Sequence, residues 1–85
     1  MYQNQKNNMA EAAIKEVMRA IPSFFRLKLP QAWFDYDREA DVLYVSFARP
    51  QKADESELLP EDILVRRRGK RVVGLSVLHA SRFKQ

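Results

Sequence analysis

The stretch WFDYDREADVLYVSF, residues 33–47, decides the fold. Residues 32–36 are rich in aromatic side chains, and residues 42–47 are apolar at nearly every position. Between them stand Asp37, Arg38, Glu39, Ala40 and Asp41. Two runs of strand-forming residues around a short polar cluster read as a β-hairpin. Asp37 is placed to cap the turn with its own carboxylate.

Towards the C-terminus the same grammar repeats. Residues 63–67 form a third strand, Arg68, Gly69 and Lys70 a tight turn, and residues 72–78 a fourth strand. Gly69 supplies the positive φ that such a turn needs. Residues 49–60 read as a loop, bounded by Pro50 and Pro60 and carrying Asp54, Glu55 and Glu57. Residues 80–83 suit a short helical turn.

Towards the N-terminus the period changes. Ala10, Ile14, Val17, Met18 and Ile21 recur at helical spacing, with Glu11, Lys15, Glu16 and Arg19 mostly on the other side. Asn8 fits an N-cap, with Glu11 completing a capping-box pattern. Pro22 disfavours helix at Ile21, so the first helix is expected to end or bend there. Residues 23–30 read two ways. Phe25, Leu27 and Leu29 alternate like a strand, yet Pro22 can also open a helical turn. A short helix continuing the first is the preferred reading.

The expected architecture is α+β: an N-terminal amphipathic helix packed on a small antiparallel β-meander of three to four strands, with a short C-terminal helical turn. Residues 1–7 are expected to be a disordered lead-in. Residues 8–85 then make a single domain, with a helical segment at 8–29 and the meander at 32–78.

Composition narrows the function. The chain has 85 residues, no cysteine and one histidine, His79. A chain this short buries only a little over roughly 60% of its unfolded surface. Small folds usually add disulfides, a metal or self-association. The first cannot form here, and a zinc site wants about four ligands rich in Cys and His. Self-association remains. No apolar run approaches the ~20 residues that span a bilayer, and residues 1–10 lack a signal peptide's apolar core. A cytoplasmic location, without membrane contact, is expected.

Alternation sorts the strands into two faces. One carries Phe34, Tyr36, Leu43, Val45, Phe47, Ile63, Val65, Val73, Leu75 and Val77. The other carries Trp33, Val42, Tyr44, Leu64, Val72 and Leu78, interrupted by Asp35, Arg66, Gly74 and Ser76. An antiparallel sheet with one wet face alternates more cleanly than this. One helix covers one face, which leaves Trp33, Val42, Tyr44, Val72 and Leu78 as the candidate self-association face.

YDREADVLYV at 36–45 and VVGLSVLHAS at 72–81 together resemble the prokaryotic family known as domain of unknown function 2283, whose members read YDxEADxLYI and later VVGxxxLxAS. The resemblance covers roughly residues 33–82 and implies a compact β-meander with terminal helices. It carries over no activity and no catalytic residues. Some relatives resemble the small partners of two-gene toxin–antitoxin-type arrangements. Members often have acidic residues where this chain has Arg66, Arg67 and Arg68, and Asp or Asn in place of His79.

Several chemistries can be weighed directly. Asp35, Asp37, Glu39 and Asp41 imitate a calcium loop, but position six would be Ala40 rather than Gly, and position twelve Ser46 rather than Glu. Only two glycines are present, and there is no GxSxG elbow, so phosphate-cradling loops are excluded. Ser23, Ser46, Ser56, Ser76 and Ser81 would all need His79 as base, with a further group to orient it. His79 at a strand end reads instead as a boundary or capping residue. Phe24, Phe25, Trp33 and Phe34 read as helix–sheet core rather than a ligand pocket. Arg66, Arg67, Arg68, Lys70 and Arg71 concentrate charge at one hairpin tip, a candidate patch for an anionic partner. The tip lacks interleaved aromatics for base stacking, and Asp54, Glu55, Glu57 and Glu61 are near enough in sequence to offset it.

The leading reading is therefore a non-catalytic interaction or regulatory module that works as a homo-oligomer, a dimer first, with a second protein as a further partner. Nucleic-acid association through the arginine hairpin ranks second and a small-molecule enzyme third. No metal or cofactor is implied.

Overall fold

A computed structural model of the chain describes the backbone of residues 5–84 and the side chains of residues 11–84. It contains one long helix, α1 (Gln5–Leu27), followed by β1 (Trp33–Asp37), β2 (Val42–Ser46), β3 (Glu55–Leu58), β4 (Ile63–Arg68), β5 (Arg71–Leu78) and a 3-10 turn, Ala80–Phe83. The α+β class is as expected. The strands are more numerous than expected and form one antiparallel sheet in the order β1-β2-β5-β4-β3.

That order is not a plain meander. β3, β4 and β5 follow one another as neighbours, and β5 inserts between β4 and β2. The register confirms the two faces read from alternation. Phe34, Val45, Leu75 and Val65 lie abreast on the first face, and Tyr44, Ser76 and Leu64 on the second. A slip in register between Arg66 and Arg67 marks a bulge near the tip of the β4–β5 hairpin. Gly69 has φ +61° as the first of the two loop residues there, the position that a type II′ turn reserves for glycine.

The expected loop at 49–60 contains β3. Its sequence ESEL has no apolar alternation, and all of its residues are exposed. Backbone pairing with β4 alone makes it a strand, and its charges suit a sheet edge.

The helix differs most from expectation. It begins at Gln5, so Asn8 is interior and not a cap, and the lead-in expected at 1–7 falls mostly on residues outside the described ones. It runs through Pro22 without ending. Lys28, at φ 57°, stops it in the left-handed C′ position, and Pro30 follows. Above all, it is not packed along the sheet. Of residues 11–27 every one is exposed save the half-buried Ala20. Its tie to the sheet is an edge-to-face pair, Phe24 with Phe34, at 6.0 Å between ring centres.

The core is accordingly thin: Val42, Val45, Val65 and Val73, with Ser76 at 2% exposure. The expected aromatic core is not formed, because Phe24, Phe25 and Phe34 are all exposed and Trp33 is half-buried beneath the guanidinium of Arg49. The radius of gyration is 15.4 Å, against about 12 Å for a compact chain of this length.

Candidate functional site

Three surfaces carry the residues singled out by sequence. The first is apolar. Along the helix, Ile14, Val17, Met18, Ile21, Phe24 and Phe25 form one stripe, each at least 40% exposed and Phe25 at 79%. Their spacing keeps them within one side of the cylinder for more than three turns. The first sheet face is apolar too. Phe34 and Tyr36 stand exposed at the β1 edge, while Leu43, Ile63, Leu75 and Val77 are half-buried. At one end, Leu43, Ile63 and Val77 with Ala80 and Phe83 line a shallow apolar depression of about 240 Å³.

The second sheet face is mixed. Of the candidate self-association residues, Val42 is buried, Trp33 and Leu78 are half-buried, and Tyr44 and Val72 are exposed. Polar groups interrupt them. Arg66 lies on this face and donates to the Ser76 hydroxyl at 3.1 Å. Gln51 reaches over Gly74 and donates from Nε2 to Ser46 Oγ at 2.9 Å.

The third surface is the basic hairpin tip, which the fold divides. Arg66 is held over Ser76, and Arg67 lies 3.6 Å from Glu57 on β3. Asp54 sits against the turn, accepting from the Gly69 N–H at 3.3 Å. Arg68, Lys70 and Arg71 are exposed. Among the described residues only Arg67 of the five has a carboxylate within ion-pair distance, Glu57, on a strand that the sequence showed only as a loop.

A fourth cluster was not foreseen. Asp41, expected only to solvate the first turn, joins the β1–β2 hairpin to the C-terminal 3-10 turn. Its Oδ1 accepts from the Tyr36 hydroxyl at 2.6 Å and from the Ser81 N–H at 2.9 Å, and its Oδ2 accepts from Ser81 Oγ at 2.7 Å. Its backbone carbonyl accepts from the Ala80 N–H at 2.9 Å. Asp41 can do this because it holds φ 56°, which Asp tolerates better than most residues. Asp37 caps the turn as expected, accepting from the Ala40 N–H at 3.1 Å. His79 stands at the boundary before the 3-10 turn, but its side chain makes no capping hydrogen bond. Asp41 caps that turn from another part of the chain.

The clasp has a clear electrostatic signature. Hydrogen bonds from Tyr36 and then Ser81 hold the Asp41 carboxyl below its ordinary pKa, and the same bond to Asp41 raises that of Tyr36. A carboxylate so stabilised is a weaker base. Among the described residues, no group of three or more His, Cys, Asp or Glu side chains could hold a metal ion, and no helix is long and apolar enough to cross a membrane.

No curated protein and no solved structure matches this chain. Residues 33–81, from the first residue of β1 to the serine of the clasp, match the family described as Protein of unknown function (DUF2283). Since that segment is more than half of the 85 residues, the chain belongs to this family.

Proposed function

We propose that this protein is a non-catalytic interaction module that works as a homo-oligomer, a dimer first. The observation that carries the reading is the exposed apolar stripe of α1, together with the exposed Phe34 and Tyr36 and the half-buried Leu43, Ile63, Leu75 and Val77 of the first sheet face. Exposed apolar area on this scale marks a surface that is covered in use. A compact chain of 10.0 kDa exposes about 5,200 Å², whereas this one exposes 7234 Å². The excess is about 2,000 Å², and half of it already surpasses the ~800 Å² per partner of a standard interface.

The regulatory role implied by the family resemblance, the small member of a toxin–antitoxin-type pair, is a narrower form of this reading. A second protein would then share the same apolar surface. The division of the basic tip by Asp54, Glu57 and Ser76 weighs against nucleic acid as the main partner. Light scattering at micromolar concentration tests the proposal. A mass of at least two chains, with thermal stability that falls on dilution, is expected. A monomeric mass with undiminished stability on dilution would refute it.

A further inference from the structure

We infer that two copies exchange helices: α1 of each chain lies across the first sheet face of the other, around a two-fold axis. The inference rests on the homo-oligomer reading above and adds which surfaces meet. It places the interface on the face opposite to the one bearing Trp33, Tyr44 and Val72.

One chain carries both halves of a missing helix–sheet layer. Small α+β folds bury an apolar helix stripe against an apolar sheet face. Here both are present: the stripe is exposed along its length, and on the face Phe34 and Tyr36 are exposed and Leu43, Ile63, Leu75 and Val77 half-buried around the buried Val45, Val65 and Val73. The stripe from Ile14 to Phe25 carries no charge, and its charged residues, such as the Glu16–Arg19 pair at 3.0 Å, lie off it. The central strands of the first face are free of charge as well: Leu43, Val45, Val73, Leu75 and Val77. The sizes also agree. A 23-residue helix is about 34 Å long, and five strands span about 19 Å. The helix therefore crosses the whole sheet with turns to spare.

Its own sheet is not where the helix points. Lys28, in the left-handed region, and the Phe24–Phe34 contact fix its exit at the β1 edge of the first face, and the stripe from Ile14 to Ile21 stays exposed. A second copy supplies that helix in the right number. Each chain offers one stripe and one face, so a closed pair satisfies both and leaves neither over. A partner of different chemistry would have to cover two separate surfaces. The excess surface of about 2,000 Å² per chain lies within the roughly 1,000–2,500 Å² per subunit that obligate dimers remove.

The chain has no cysteine, so introduced thiols report cleanly. Tagged full-length chains bearing Ile14→Cys, Met18→Cys or Ile21→Cys would each be co-refolded with untagged chains bearing Leu43→Cys or Leu75→Cys, then oxidised. Cross-linking needs Cα atoms within about 7 Å, and a helix lying across the face brings at least one of these pairs that close. A covalent heterodimer as the main oxidised product of at least one pairing is expected. A dimer by light scattering with no heterodimer in any pairing would overturn the exchange and leave the homo-oligomer reading standing. In a single chain carrying both Met18→Cys and Leu75→Cys, an internal link in a monomer would place the helix on its own face and overturn both. A monomer without any link would overturn both as well, leaving the two surfaces to another partner.

Discussion

Gly74 sits in the middle of β5, on the second face, with ordinary strand geometry. What requires glycine there is a neighbour. A Cβ built at position 74 would lie 2.6 Å from Cδ of Gln51, closer still to its Nε2, and 3.0 Å from the Val45 carbonyl oxygen. Gly74→Ala must therefore expel the Gln51 side chain and break its bond to Ser46. Losing that part-buried hydrogen bond costs about 1 kcal/mol, and squeezing a methyl against the Val45 carbonyl costs about as much again. Restricting the unfolded chain returns roughly 0.4–1 kcal/mol. The net expectation is a loss of about 1–2 kcal/mol, near 4–16 °C in Tm for a domain of this size.

The second substitution makes the reasoning testable. Gln51→Ala alone removes the same bond and should cost about 1 kcal/mol. With Gln51 already gone, Gly74→Ala should be nearly neutral, because the remaining crowding and the entropic gain offset each other. The double variant should therefore be no worse than Gln51→Ala alone, a coupling of about 1 kcal/mol or more. Urea denaturation of all four proteins at one fixed chain concentration reads this, since dilution shifts the apparent stability of an oligomer. Costs that add to within about 0.5 kcal/mol would show that Gln51 does not occupy the space above Gly74.

Three other outcomes follow from the geometry. Gly69→Val puts a β-branched residue at φ +61°, so it should cost on the order of 1 kcal/mol or more in the same denaturation assay, although nothing crowds the site; an unchanged midpoint would contradict the turn. The Asp41 clasp should lose stability at both pH extremes. The lowered Asp41 pKa makes its contribution full above the unfolded carboxylate value near ~3.9 and lost as acid titrates the folded group, while the raised Tyr36 pKa makes that bond full below ~10 and lost above it. Asp41→Asn, which keeps an acceptor and tolerates the left-handed backbone, should flatten the acid limb of Tm against pH; an unchanged acid limb would remove Asp41 from that role. At physiological salt the protein should not retard duplex DNA or RNA in a gel, because Arg66 and Arg67 are engaged within the sheet; submicromolar binding with a steep salt slope, lost when the five basic residues become Ser, would reverse that ranking.

Local chemistry explains what could be read from the chain. The first hairpin was legible because residues 33–47 alternate around a turn capped by Asp37, and those effects act within five residues. The two faces were legible because side-chain direction in a strand has a period of two. Strand β3 was not, since ESEL owes its conformation to the free edge of β4 rather than to its own side chains. The insertion of β5 between β2 and β4 was hidden for a similar reason: pairing partners are chosen by whole strands. The helix's amphipathic stripe was plain, but a stripe says only that something must cover it, and assigning the sheet of the same chain to that task was an additional step. Asp41 was missed because its second partner, Ser81, lies 40 residues away. The one available signal was that both ends of the clasp fall within the paired motifs at 36–45 and 72–81.

Those motifs now have a physical account, which bears on where function resides. Tyr36, Asp41 and Ser81 make the clasp, Ala80 is bonded to the Asp41 backbone, Asp37 caps the turn, and Gly74 admits Gln51. Each of these positions builds the sheet or fixes its ends, and Tyr36, Ala80 and Ser81 also line an open depression of about 530 Å³ with Arg38, Leu43 and Lys84. A signature made of such residues identifies how the sheet is constructed and is silent about what the sheet touches. The matched segment also begins at residue 33, so the whole of α1 lies outside it. The helix is therefore the part of this chain that the family's common framework does not specify, and it carries half of the exposed large apolar side chains among the described residues. Replacing Ile14 and Ile21 together by Glu separates the two roles. The clasp and the hairpins contain neither residue, so the sheet's strand signal in circular dichroism should persist, while the mass by light scattering falls to one chain. Loss of the strand signal at concentrations where the parent is dimeric would mean that the sheet cannot stand without the helix laid on it. Retention of the dimer would move the interface to the face of Tyr44 and Val72.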